Sequence, residues 1–136
     1  MYAQQTKVPV FQSRVEIERL LQKHGAQRFM VGSDEARAVI VFELKDRRLK
    51  FEVALPRLPN QQRTEKRHRQ RWRALLLAIK AKLECVQSGI ETFDEAFLAH
   101  VVMPDGMTVG EHTRGAITRA YETGNMQPLL PAPGAK

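Results

Sequence analysis

The chain has 136 residues, 43% of them hydrophobic and 27% charged, with a formal net charge of +7. That length suits one domain able to bury a core without metals or disulfides, and no stretch approaches the roughly 18 apolar residues that cross a bilayer. A single cysteine, Cys85, excludes an intramolecular disulfide, and the amino terminus lacks a signal-peptide pattern, so the expected setting is cytoplasmic.

In chain order, Ser13 and Glu16 fit a capping box with Val10 or Phe11 as staple, and Gly25 is a natural stop. They predict a helix over 14–24 with Val15, Ile17, Leu20 and Leu21 apolar. "AQRFMVG" reads as a short strand, "SDE" as a turn, and "RAVIVFEL", apolar on both faces, as a central strand. After a turn at 45–47, "RLKFEVAL" alternates: Leu49, Phe51, Val53 and Leu55 point one way, Lys50 and Glu52 the other. "PRLPNQQRTEKRHRQR" begins as a loop and is expected to turn helical between Thr64 and Arg69. The long helix runs to about Gln87 and stops at Gly89. Thr92 with Glu95, then Thr108 with Glu111, repeat the capping-box pattern ahead of two shorter helices, with a tight turn at Pro104, Asp105 and Gly106 between them. Gly124 ends the last helix. The expected architecture is α+β: one domain over 1–124, a three-stranded antiparallel meander covered by the long helix, and a proline-rich tail over 125–136.

At 100° per residue, Trp72, Leu75, Leu76, Ile79, Leu83 and Val86 share one sector of the long helix and should lie on the sheet. Ala74, Ala78, Ala81 and Cys85 gather on the opposite side, a small-residue face able to admit a neighbouring helix, so a homo-oligomer is expected. Arg73 and Lys80 flank the stripe on one side, Arg71 and Lys82 on the other, with stems over the core and charges in water. Trp72 is therefore a core residue rather than a base-stacking platform, and Phe42 and Phe51 also sit on apolar faces.

Charge is concentrated. From Arg57 to Arg73 lie seven bases (Arg57, Arg63, Lys66, Arg67, Arg69, Arg71, Arg73) and one acid, Glu65, a net of +6 out of +7. A solvated helix usually intersperses acids as i to i+4 partners; here the next acid is Glu84. Those seven bases together with Lys80 form the candidate nucleic-acid-binding set, since a phosphate backbone would relieve their mutual repulsion.

Nothing in the sequence carries a reaction. His24, His68, His100 and His112 are scattered without metal-ligand spacing to one another or to Cys85. In "HVVMPDGMTVGEH", Asp105 reads as a turn residue and Glu111 as a cap, with His100 and His112 as surface or cap residues. Asp34, Glu35 and Asp46 look like turn residues, and neither a phosphate loop nor a nucleophile elbow is present. A non-enzymatic protein without cofactor or metal is expected.

The blocks "QRWRALLLAIKAKLE", "SGIETFDEAFLAHVVMPDGMTVGE" and "AYETGNMQPLLP", with the opening "VPVFQSRVEIERLLQKHGAQRFMVG", resemble a family of small proteins encoded in bacteriophage and prophage genomes. The resemblance covers nearly the whole chain and implies residence in a bacterial host cell. It assigns no activity, so no catalytic residues transfer. Family members carry a longer arginine-containing insert before the long helix than "RLPNQQRTEKRHRQ". Phage origin narrows the expectation to an accessory protein for single-stranded DNA binding or strand annealing, since a meander backed by a long helix is similar in layout to single-strand-annealing recombinases. The alternative is a protein-binding inhibitor of a host defence system, of an anti-CRISPR-like kind, whose partner would be a host protein complex. A structural particle component is a third.

Overall fold

Alternation in the two apolar segments builds the sheet. The computed structural model describes residues 10–131, and in them strands β1 (Gln27–Ser33), β2 (Arg37–Leu44) and β3 (Arg47–Ala54) pair antiparallel in the order β1-β2-β3. The β2–β3 register sets Ala38 opposite Val53, Ile40 opposite Phe51 and Phe42 opposite Leu49, so the apolar residues of both strands fall on one face. Lys45 and Asp46 join these strands with φ of 51° and 62°. Positive φ at both positions of a two-residue loop matches the right-handed twist of the hairpin. The architecture is α+β, as expected.

Two helices cover the apolar face: α1 (Val10–Lys23) and the long α2 (Gln61–Gln87). Trp72, Leu75, Leu76, Ile79 and Leu83 are all buried, and Val86 packs partly buried at the end of the same stripe. Trp72 is 2% exposed, with the Arg14 guanidinium 5.6 Å from its ring centre. Leu77 and the small residues Ala74, Ala78 and Ala81 remain exposed on the outer side, and Cys85 is half-buried. A short helix α3 (Phe93–Phe97) and a 3-10 turn (Leu98–His100) close one end of the core, where Phe97 stands edge-on to Phe51 at 6.3 Å. The last helix, α4 (Val109–Thr123), packs chiefly on that turn and buries Ala116. Gly110 is required there, because a Cβ would lie 2.9 Å from the Ala99 carbonyl oxygen.

Both carboxy-terminal capping boxes form, at Thr92 with Glu95 and at Thr108 with Glu111, and Gly124 ends α4 in the left-handed conformation. Residues 125–131 are exposed and carry neither helix nor strand, and 132–136 lie outside the described residues.

Two helix starts differ from the sequence expectation. α1 includes Val10 and Phe11, so Ser13 caps nothing: it is fully buried inside the helix. The reason is phase, since positions 10, 13, 17 and 21 recur at helical spacing and place Ser13 on the same buried stripe as Ile17 and Leu21. α2 begins at Gln61, earlier than the predicted interval. Asn60 adopts an extended conformation and its side chain accepts from the Arg63 N–H, a standard N-cap role. Buried Thr64 then pins the preceding loop, its hydroxyl donating to the carbonyls of Leu58 and Asn60 and accepting from the Leu58 N–H.

The outer edge of β3 is covered piecemeal. With Leu44 and Arg47 closing the hairpin, odd-numbered β3 residues bond to β2 and even-numbered ones face outward. Arg48 O accepts from Val102 N–H (2.8 Å), Lys50 O from His100 Nδ1–H (3.1 Å), Ala54 O from Arg71 Nε–H (3.1 Å) and Pro56 O from His68 Nε2–H (3.0 Å). Such cover blunts edge-to-edge association.

Two substitutions test the core. Ile79→Ala should cost about 2–5 kcal/mol in chemical denaturation, because the emptied site lies fully buried between sheet and helix. Ser13 Oγ has no hydrogen-bond partner among the described residues, so Ser13→Ala should raise stability by about 1 kcal/mol, and a loss of stability would show that the hydroxyl is satisfied.

Candidate nucleic-acid interface

An early α2 start puts Arg63, Lys66 and Arg67 on helix rather than loop. Its first turn carries no acid. A cation in the first turn of a helix opposes the macrodipole, typically by about 0.3–1 kcal/mol, so Arg63 is placed against local stability, and Lys66 and Arg67 follow it in the second turn. Their field and that of the unsatisfied backbone N–H groups have the same sign, and both attract anions. Arg63, Lys66 and Arg67 are exposed, and among the described residues none forms an ion pair. Arg63, Lys66 and Arg69 line a shallow depression of about 430 Å³ with Gln62 and Glu65.

The eight residues of the sequence-derived set do not form one surface, because the apolar stripe divides them by helical phase. Arg69, Arg73 and Lys80 lie toward α1. Arg73 meets Glu16 at 3.3 Å, and Arg73 and Lys80 line a groove with Arg19 and Leu20. On the other side Arg71 reaches the β3 edge, and Lys82 Nζ donates to the Ala96 carbonyl at 3.1 Å. Arg57, on the loop before α2, is 4.0 Å from Glu35, and both side chains are largely exposed. A pair of that kind contributes little. Tertiary structure therefore supplies Arg73 and Arg57 with acidic partners that the linear charge count misses, leaving Arg63, Lys66 and Arg67 as the concentrated positive head.

From that head, Arg63, Arg67 and Arg71 follow one another at i to i+4 spacing, a row rising about 6 Å per step. It leads to a cleft of about 500 Å³ beside the β3 edge, lined by Lys50, Glu52, Ala54 and Arg71 on one side and His100, Gly110, Glu111 and Arg114 on the other, with Arg37 beyond. Arg37, Lys50 and Arg114 are absent from the sequence-derived set, since nothing in their local pattern marks them; β2, β3 and α4 bring them together. Glu52 is held by Arg37 at 2.9 Å. Glu111 accepts from the Thr108 N–H at 2.8 Å and from its hydroxyl at 3.2 Å. The backbone bond is the largest cause keeping the Glu111 carboxyl below its ordinary pKa, with the hydroxyl, Lys50 and Arg114 adding to it.

Base stacking finds no support at the head: Trp72, Phe42 and Phe51 are buried, and the exposed rings of Phe11 and Tyr121 lie on α1 and α4. The carboxy-terminal constellation is structural in part. Asp105 accepts from the Met107 N–H at 3.0 Å, which is the main cause lowering its pKa, and lies 2.7 Å from His112 Nε2. His100 departs from the surface or cap role expected of it, being half-buried and stacked on Phe51 with ring centres 3.9 Å apart. Among the described residues no group of three or more His, Cys, Asp or Glu side chains could hold a metal ion, and no helix is long and apolar enough to cross a membrane. No family model, curated protein or solved structure matches the chain.

Burial lowers the His100 pKa from its ordinary value of 6.5; the bond to Lys50 O opposes the shift and Lys82 reinforces it. A histidine whose folded pKa lies below its unfolded one contributes stability that is present above about pH 6.5 and lost as pH falls toward the folded value. His100→Asn keeps a donor for Lys50 O but cannot titrate. Its melting temperature should therefore fall less than that of the wild type between neutral pH and the acid side of that range, and equal slopes would exclude His100 as a source of the acid sensitivity.

Proposed function

We propose that this is a non-enzymatic nucleic-acid-binding protein that holds the phosphate backbone of a single strand through the head of α2. The observation that carries the reading is the exposed cluster of Arg63, Lys66 and Arg67 in the first two turns of α2, whose first turn carries no acid. Phosphate contacts of this kind position a strand without reading its sequence. The row Arg63, Arg67, Arg71 places a single line of guanidinium groups about 6 Å apart, a spacing comparable to successive phosphates along one strand. Self-association through the exposed outer face of α2, with its small residues Ala74, Ala78 and Ala81, would set several heads side by side and extend the track. The setting that best suits such a protein is a phage-type accessory role in strand handling.

Anisotropy of a fluorescent thymidylate oligomer, titrated at several salt concentrations, tests this. Binding should weaken steeply with salt, and replacing Arg63, Lys66 and Arg67 together by alanine should remove most of the affinity while flattening the log–log salt slope by roughly 2, about 0.7 for each single-strand phosphate that is no longer neutralised. The triple variant should fold normally, since all three side chains are exposed. Wild-type affinity in that variant, or binding indifferent to salt, would overturn the reading.

A further inference from the structure

The cleft beside β3 differs in kind from the α2 head. Its walls come from β2, β3, α2, the 3-10 turn and α4, and its volume of about 500 Å³ is within the range of small-molecule sites. Four permanent cations line it, Arg37, Lys50, Arg71 and Arg114, against two carboxylates, Glu52 and Glu111. Those six charges sum to +2.

Both carboxylates are already engaged: Glu52 by Arg37, Glu111 by the Thr108 N–H and hydroxyl. Arg71 lines the cleft and donates through Nε to Ala54 O, which leaves its terminal nitrogens as further donors. Lys50 and Arg114 flank Glu111 closely enough to lower its pKa. A compact dianion fits this charge balance, and a phosphomonoester carries nearly two negative charges at neutral pH. An internal phosphodiester carries one.

Arg71 belongs both to the cleft and to the row that starts at Arg63. We propose that the β3-edge cleft is a phosphomonoester site that takes the terminal phosphate of a nucleic-acid strand lying along the α2 head. This assignment rests on the reading of that head given above. The strand is tracked by Arg63 and Arg67, and its end is received by Arg71, Lys50 and Arg114, so the protein distinguishes an end from the middle of a chain.

The test compares thymidylate oligomers bearing a 5′ phosphate, a 3′ phosphate or neither, at fixed ionic strength, against wild type, a Lys50→Gln/Arg114→Gln variant and the head triple variant. One terminal phosphate should tighten wild-type binding roughly tenfold. The K50Q/R114Q variant should bind all three oligomers alike, with wild-type affinity for the unphosphorylated one, which also shows that it is folded. Equal binding of the three by wild type, or a preference that survives in K50Q/R114Q, overturns the proposal. Thymidine monophosphate probes the cleft without the head: wild type and the head variant should bind it and K50Q/R114Q should not. Binding of that nucleotide with no end effect on oligomers would assign the cleft to free nucleotides and overturn the strand-end role. Succinate bound as tightly would overturn the phosphate chemistry. The head reading fails on a different result, namely unaltered affinity of the head variant for the unphosphorylated oligomer.

Discussion

The seat of the α2 stripe on the sheet is the constraint from which the rest follows. Once Trp72, Leu75, Leu76, Ile79 and Leu83 are buried against β2 and β3, the rotation of α2 about its axis is fixed, and every other side chain on it has an assigned direction. Arg71 and Lys82 must emerge toward the β3 edge, Arg73 and Lys80 toward α1. Placement of charge is thus a by-product of packing: a helix with the same bases rotated by one residue would bury a guanidinium and expose a leucine, at a cost in desolvation that no surface pairing offsets.

The same seating explains how an exposed sheet edge becomes a polar site. Outward-facing carbonyls of β3 need partners, and the side chains that supply them, His100, His68 and Arg71, come from the elements that the core has brought alongside. Edge protection and the cationic cleft therefore share two of these side chains, His100 and Arg71. Arg71 shows this most clearly, with Nε bonded to Ala54 O while the residue also lines the cleft.

Much of the fold was legible in the sequence, and the misses have physical causes. Alternation in β3 and the heptad-like spacing in α2 are periodic over many residues, so they specified faces as well as elements, including the burial of Trp72. Both carboxy-terminal capping boxes were readable because Thr and Glu at fixed spacing satisfy backbone donors locally. Ser13 with Glu16 shows the same spelling and a different outcome, since a local capping signal competes with an apolar stripe that continues through it, and the stripe prevailed. Of the candidate interface, the helix head was visible as a run of charge. The acidic partners of Arg57 and Arg73, and the assembly of Arg37, Lys50 and Arg114, depend on contacts between residues tens of positions apart, for which a single chain has no local signature.

α4 differs from the rest of the domain in how it is attached. It buries one alanine and leans on the 3-10 turn through the contact that Gly110 permits, with its capping box as the main local support. Fifteen residues held in that way lack the burial that makes the sheet and α2 a single cooperative unit. Such a helix is expected to open at lower free energy than the sheet and α2, and it carries Glu111 and Arg114 of the cleft. Access to that space therefore depends on how firmly α4 is attached as well as on the shape of the cavity.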